Sequence, residues 1–181
     1  MIVWIDLETT GLDPRKDAIC EIAVIVTDDD LNTLATYASV VKTPKRKVRR
    51  MDDFVVGMHT KSGLLADLPK ATKSLKAIEA EVIALLDEAG VEKRALLGGN
   101  SVHFDRGFIN NQMPALANKF SHQHLDVSAI GNCVKRWYGD FYESMKAGSG
   151  EVAHRAMDDI KSSISQLATY RASVFADEVK G

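Results

Sequence analysis

The sequence predicts an α/β fold, a mixed sheet flanked by helices. Strand-forming runs come first and in succession, helical periodicity appears only later, and a short apolar strand then recurs among helices. Ile2-Val3-Trp4-Ile5-Asp6-Leu7-Glu8 reads as a strand, and Thr9-Thr10-Gly11-Leu12-Asp13-Pro14 as its turn. Glu21 to Thr27 is a second run rich in β-branched residues, and Asp28-Asp29-Asp30 turns the chain into a third strand near Leu34 to Val41. Short connections between these three predict an antiparallel meander. From Leu75 the apolar positions Leu75, Ile78, Val82 and Leu85 recur at helical spacing, ending near Gly90. Ala95-Leu96-Leu97 is a short buried strand closed by Gly98-Gly99. Helices are expected around Arg106 to Gln112, over Val127 to Trp137, and from near His154 to about Phe175, with Asp177 to Gly181 fraying. No repeat, low-complexity tract or linker divides the 181 residues, so a single domain over 1–181 is expected.

Composition narrows the functional classes. A hydrophobic fraction of 45% with 27% charged residues is that of an ordinary globular protein. The 23 Lys and Arg nearly balance 25 Asp and Glu, giving a net charge of -2. That balance argues against a protein that coats nucleic acid through bulk charge, and favours a small or locally held substrate. Cys20 and Cys133 lie in contexts that read as buried, without metal or disulfide-framework spacing, and fit a reducing cytoplasm. No apolar run approaches a membrane span, and Met1 to Ile5 meets Asp6 too soon for a signal peptide.

Chemistry is concentrated in Asp6, Glu8, Asp105, Asp159 and His154. Asp6 and Glu8 stand two apart in a strand, so they share one face, while Val3, Ile5 and Leu7 face the core. An acidic pair in an otherwise apolar run is out of place on an ordinary solvated strand. Gly11 follows where backbone can approach a ligand closely. Asp105 comes after a short strand and a glycine pair, a common place for ligand-binding groups, although it also suits a helix cap. At about 100° per residue, Asp159 falls at the edge of the Ala156, Ile160, Ile164 and Leu167 stripe, whereas Asp158 faces water. His154 opens that helix after Gly148-Ser149-Gly150, a segment that lets it swing. Four carboxylates aimed at one point repel each other unless cations occupy it, and four acidic ligands fit two hard divalent ions such as Mg²⁺ or Mn²⁺. A nearby histidine then deprotonates water, so the set points to phosphodiester hydrolysis. Thr10 and Ser101 are candidate hydrogen-bond donors to substrate. Trp4 and Trp137 read as packing residues, with a place near a dimer contact as the alternative for Trp137 and Arg136, and His59 and His124, without a metal-spaced partner, read as structural or surface groups.

Asp-x-Glu, then Asn-x3-Phe-Asp, then His-x4-Asp resembles the DEDD exonucleases that use a histidine base. The similarity is greatest to the oligoribonuclease family and spans nearly the whole chain. It is carried by Val3 to Asp13, Met58 to Leu64, Gly99-Asn100-Ser101-Val102, Leu125-Asp126-Val127-Ser128, Cys133 to Tyr138 and His154 to Ile160. The resemblance implies a ribonuclease H-like fold with a mixed five-stranded sheet, a homodimer, and 3′→5′ removal of nucleoside 5′-monophosphates from short single-stranded RNA. It further implies that Asp6, Glu8, Asp105 and Asp159 hold two metals, that His154 is the base, and that Leu12 wedges between the last two bases. Phe54 matches a base-stacking tryptophan of the family, or is a helix residue packed in the core.

Two stretches depart from the family. Its His-Tyr-Arg segment, through which a partner subunit caps the substrate's 5′ end, reads Ser121-His122-Gln123 here. His122 is left to stack or contact phosphate, and strict dinucleotide preference is not expected. Lys42, Lys45, Arg46, Lys47, Arg49 and Arg50 form a basic segment that is either a solvated loop or a track for the backbone of longer substrates. Two other functions stay open: a DNA 3′→5′ exonuclease of the proofreading type, which shares all five groups, and a nucleic-acid-binding module with a dead site, against which the complete set argues.

Overall fold

Five strands make one sheet: β1 (Ile2–Thr9), β2 (Ile19–Thr27), β3 (Thr33–Val40), β4 (Ala95–Gly99) and β5 (Phe120–Asp126), in the order β3-β2-β1-β4-β5. The computed structural model describes residues 1–147 and 154–175. β1, β2 and β3 pair antiparallel, while β1–β4 and β4–β5 are parallel. The expected mixed sheet flanked by helices is therefore the fold.

The connection from β3 to β4 carries α1 (Lys45–Val48), α2 (Asp53–Lys61), α3 (Leu64–Asp67) and α4 (Leu75–Glu88). After β4 come α5 (His103–Gln112) and α6 (Pro114–Ala117), then β5, then α7 (Val127–Trp137), α8 (Gly139–Ala147) and α9 (Ala156–Ser173). Side chains alternate along β1, so its two faces feed two cores. Val3, Ile5 and Leu7 pack with Ile78, Val82 and Leu86 of α4 and with Phe108 and Ile109 of α5. Ile2 and Trp4 pack with Ile160, Leu167 and Tyr170 of α9 and with Val127 and Val134 of α7. Asp6 and Glu8 continue this second face beyond Trp4, which brings them to the N-terminal end of α9. A smaller cluster of Cys20, Met51, Val55, Leu64 and Leu68 seats α2 and α3 against β2.

Several sequence expectations are corrected. Gly98 and Gly99 do not close β4 but belong to it, and a Cβ at Gly98 would lie 3.0 Å from both Ile2 and Trp4. β5 has no hydrophobic alternation because it is an edge strand with Ser121-His122-Gln123 on it, and its pairing with β4 comes from tertiary context. The last helix starts at Ala156, and His154 precedes it with a left-handed φ of 49°. Trp4 is buried, its indole donating to Thr27 Oγ1, but Trp137 is exposed rather than packed. Cys20 is buried and Cys133 only half-buried, both as free thiols. The Gly148-Ser149-Gly150 hinge and the fraying of Asp177 to Gly181 lie outside the described residues. Among the described residues, no helix is long and apolar enough to cross a membrane.

Candidate active site

Asp6 and Glu8 reach the site from the C-terminal half of β1, and Asp159 reaches it from the first turn of α9. One carboxylate oxygen from each of the three lies within 4.8 Å of the others. Asp158, one residue away, is exposed and pairs with Lys161, as the helical angle requires. Asp105 lies in the first turn of α5 and is 4% exposed. It is not the N-cap: its Oδ1 accepts the Leu7 amide at 2.9 Å, fixing it to β1 between Asp6 and Glu8. Asp105 stays outside the tight three-oxygen group, but its charge acts on both Asp6 and Glu8.

The electrostatics of this arrangement are unfavourable without a cation. Burial, then the charges of Asp159 and Glu21, push Asp6 up to about 7. Burial, followed by repulsion from Asp6, Asp159, Glu21 and Asp105, pushes Glu8 up to about 9. Asp105 is raised well above the carboxylate range, mainly by burial and by Asp6, with the Leu7 amide opposing. Asp159 is raised by burial, and the nearby His154 works against that rise. Buried carboxylates that repel one another strongly enough to raise Asp6, Glu8 and Asp105 fit a hard divalent cation, which takes oxygen ligands. The donor set thus passes the chemical test for a metal site.

Two residues of this neighbourhood carry no role in the sequence reading. Glu21 on β2 stands directly opposite Glu8 in the strand register and is 5% exposed. Arg155 holds it: Nε donates to both carboxylate oxygens at 3.1 Å, and Nη2 donates to Oε1 at 2.7 Å. The Ala156 amide donates to the same carboxylate at 3.2 Å, and Arg155 Nη1 donates to Asp67 on α3 at 3.3 Å. Glu21 therefore caps the start of α9 from across the sheet and sets where His154 and Asp159 stand. An acidic residue inside the apolar run Ile19 to Thr27 was the available signal, the same one that marked Asp6 and Glu8. His59, read as structural or surface, is fully buried behind Glu8. Its Nε2 bonds the Thr9 carbonyl at 2.9 Å, and its Nδ1 lies 3.7 Å from Glu8 Oε2 without a hydrogen bond.

The other sequence candidates divide. Leu12 and Phe54 are 80% and 79% exposed, so the alternative of Phe54 packed in the core is removed. Leu12 is presented by a turn that Asp17 closes, its Oδ2 accepting the Asp13 amide at 2.9 Å. A Cβ on Gly11 would lie 2.5 Å from that same oxygen, so the glycine makes room for Asp17 and not for a ligand. Thr10 is buried, and its hydroxyl oxygen accepts the Ala18 amide, so it supports the turn instead of facing a substrate. Ser101 is exposed at a left-handed φ of 50°, with its amide donating to Asp126 and Ser128. Asn100, beside it, donates to Ser163 and Gln166 of α9, tying β4 to that helix. His122 is exposed on β5, where its charge acts on the neighbouring His124.

A mixed sheet that brings carboxylates from the C-terminal half of its central strand and from a packed helix to one point defines a ribonuclease H-like nuclease, a hydrolase. The exonuclease family RNase_T matches residues 3–167. A probable oligoribonuclease of Caenorhabditis elegans is 40% identical over 176 residues, covering 96% of this chain and 89% of that one. An oligoribonuclease of Pseudomonas aeruginosa is 39% identical over 171 residues, covering 94% and 93%. In structure, the zinc-bound form of the E. coli exonuclease I complex with single-stranded DNA superposes with a TM-score of 0.72. At 16% identity, with 94% of this chain matching 40% of that one, this likeness speaks for the fold alone. The chain belongs to the RNase_T exonuclease family and, within it, to the oligoribonucleases.

Proposed function

We propose that the chain acts as one exonuclease domain that removes nucleoside 5′-monophosphates from the 3′ end of short single-stranded oligoribonucleotides. The observation that carries this is the convergence of Asp6, Glu8 and Asp159 within 4.8 Å, with Asp105 pinned beside them. These four residues would hold two divalent cations, Mg²⁺ or Mn²⁺. Bound there, the cations supply charge neutralisation at the phosphodiester and acidify water. His154 accepts the proton as the water oxygen attacks phosphorus. The P–O3′ bond breaks, leaving a 3′-hydroxyl on the shortened strand and a 5′-phosphate on the released nucleoside. Arg155 and Glu21 keep His154 and Asp159 in position. Leu12 and Phe54 offer exposed apolar surfaces on which the terminal bases wedge and stack, with Ser101 as a hydroxyl donor. His122 serves in place of the family's stacking residue, the working unit is a homodimer, and the compartment is the reducing cytoplasm.

The test is product analysis of 5′-labelled RNA and matched DNA ladders with Mg²⁺ or Mn²⁺. Stepwise loss of mononucleotides from RNA is expected. His154→Ala should lose about 10²- to 10⁴-fold in turnover while still binding Mn²⁺. Faster cleavage of DNA at every length would move the reading to a DNA exonuclease. Binding that is insensitive to EDTA, with no mononucleotide released, would move it to a catalytically dead binding module.

A further inference from the structure

The basic segment acquires a definite form in three dimensions. Lys42, Lys45 and Arg49 rim a cavity of about 580 Å³ whose walls include Val48 of α1, Leu65 of α3 and Pro69. That volume falls in the range of small-molecule sites, and an apolar slot with a few charged groups at its edge is their usual composition. All three cations are exposed, and none has an acidic partner among the described residues. By contrast, Lys47 of the same helix turns away and donates to the Lys16 carbonyl. Cations left unpaired around apolar walls suit an anionic ligand that also carries a flat apolar body.

We infer that this groove is a second nucleotide-binding site, which takes a base and its phosphates from the 5′ part of an RNA strand whose 3′ end lies at the acidic centre. The inference rests on the reading under Proposed function for the direction of the strand. Charge complementarity selects the occupant: three cations match consecutive phosphates, and the apolar walls take the base between them. The groove is also within reach. Arg49 and Phe54 are five positions apart, so their Cα atoms lie at most about 18 Å apart. Phe54 stands 79% exposed at the start of α2. A dinucleotide ends before the groove, whereas a decamer continues into it.

Two variants test this. Lys42→Gln/Lys45→Gln/Arg49→Gln removes the rim charge from exposed positions. Ala71→Phe fills the slot, whose wall includes Ala71, without altering charge. Binding of a 5′-³²P-labelled RNA decamer is measured by filter retention in EDTA, which needs no turnover. The charge variant should lower the salt slope by about 2 and weaken binding by about 50-fold at physiological salt. Ala71→Phe, shown to be folded by its thermal transition, should weaken the decamer while leaving its salt slope unchanged. Hydrolysis of a dinucleotide should be unchanged in both. Equal losses on dinucleotide and decamer, a loss confined to the charge variant, or a decaglutamate peptide bound as tightly as RNA would each overturn the groove. Failure of the wild type to hydrolyse any RNA would instead overturn the reading under Proposed function, with decamer binding still deciding the groove.

Discussion

Arg155→Met is the substitution that most directly probes how the site is assembled. In the native protein Glu21 is 5% exposed and receives three guanidinium contacts at 2.7–3.1 Å plus the Ala156 amide. Removing the guanidinium leaves an unpaired buried carboxylate facing Glu8 across the β1–β2 pair, so the cost is more than that of a lost surface ion pair. Breaking a buried pair from one side typically costs about 3–5 kcal/mol. For a chain of this size that corresponds to a fall in Tm of roughly 6–20 °C. Urea denaturation at neutral pH measures it, and a double-mutant cycle isolates the cause. If repulsion and desolvation of Glu21 dominate, Glu21→Gln in the Arg155→Met background should recover stability. Turnover should remain low in the double variant, because the amide that pins Ala156 no longer meets a charged acceptor and α9 starts in a looser position. A loss below about 1 kcal/mol for Arg155→Met, or a further loss on adding Glu21→Gln, would refute the reasoning.

The raised carboxyl groups set a pH dependence for the metal-free protein. Glu8 at about 9 and Asp6 at about 7, against ordinary values of 4.5 and 3.8, mean that the unfolded chain releases these protons first as pH rises. Their contribution to stability is complete below about pH 4 and is lost progressively as pH climbs through 7 and then 9. Saturating Mg²⁺ or Mn²⁺ should flatten or reverse that slope; calorimetry across this range in EDTA and in metal checks it, and a metal-free Tm that rises with pH would count against the cluster. Phe54→Ala should raise KM for short RNA by roughly 5- to 150-fold, equivalent to about 1–3 kcal/mol of stacking. Because the ring is exposed, the same variant should change stability by less than about 0.5 kcal/mol in denaturant titration. Leu12→Ala should behave in the same way, with KM affected and Tm held.

How much was legible depended on whether the signal was local. Asp6 and Glu8 could be read because side-chain alternation in a strand puts i and i+2 on one face whatever the rest of the chain does. Asp159, rather than Asp158, followed from helical angle alone, and the exposed Asp158–Lys161 pair agrees with it. The three-stranded meander and α4 were equally local, written in β-branched runs and an apolar stripe. The order and spacing of the motifs also identified the family without any knowledge of the packing. β5 escaped because an edge strand bearing Ser121-His122-Gln123 shows no hydrophobic alternation, and its pairing with β4 exists only once the sheet forms.

What the tertiary structure alone decided lies between distant segments. The contact from Arg155 to Glu21 joins residues 134 positions apart, and that from Asp105 to the Leu7 amide joins residues 98 apart. No periodicity encodes such pairs, because they arise where two separately determined surfaces meet. The same holds for burial: Thr10 and Gly11 look like open ligand contacts in sequence, yet Ala18 and Asp17 occupy their polar neighbourhood. Local chemistry named the carboxylates of this protein. The close approach that makes them repel each other, and so call for a cation, is a property of the folded sheet and its last helix.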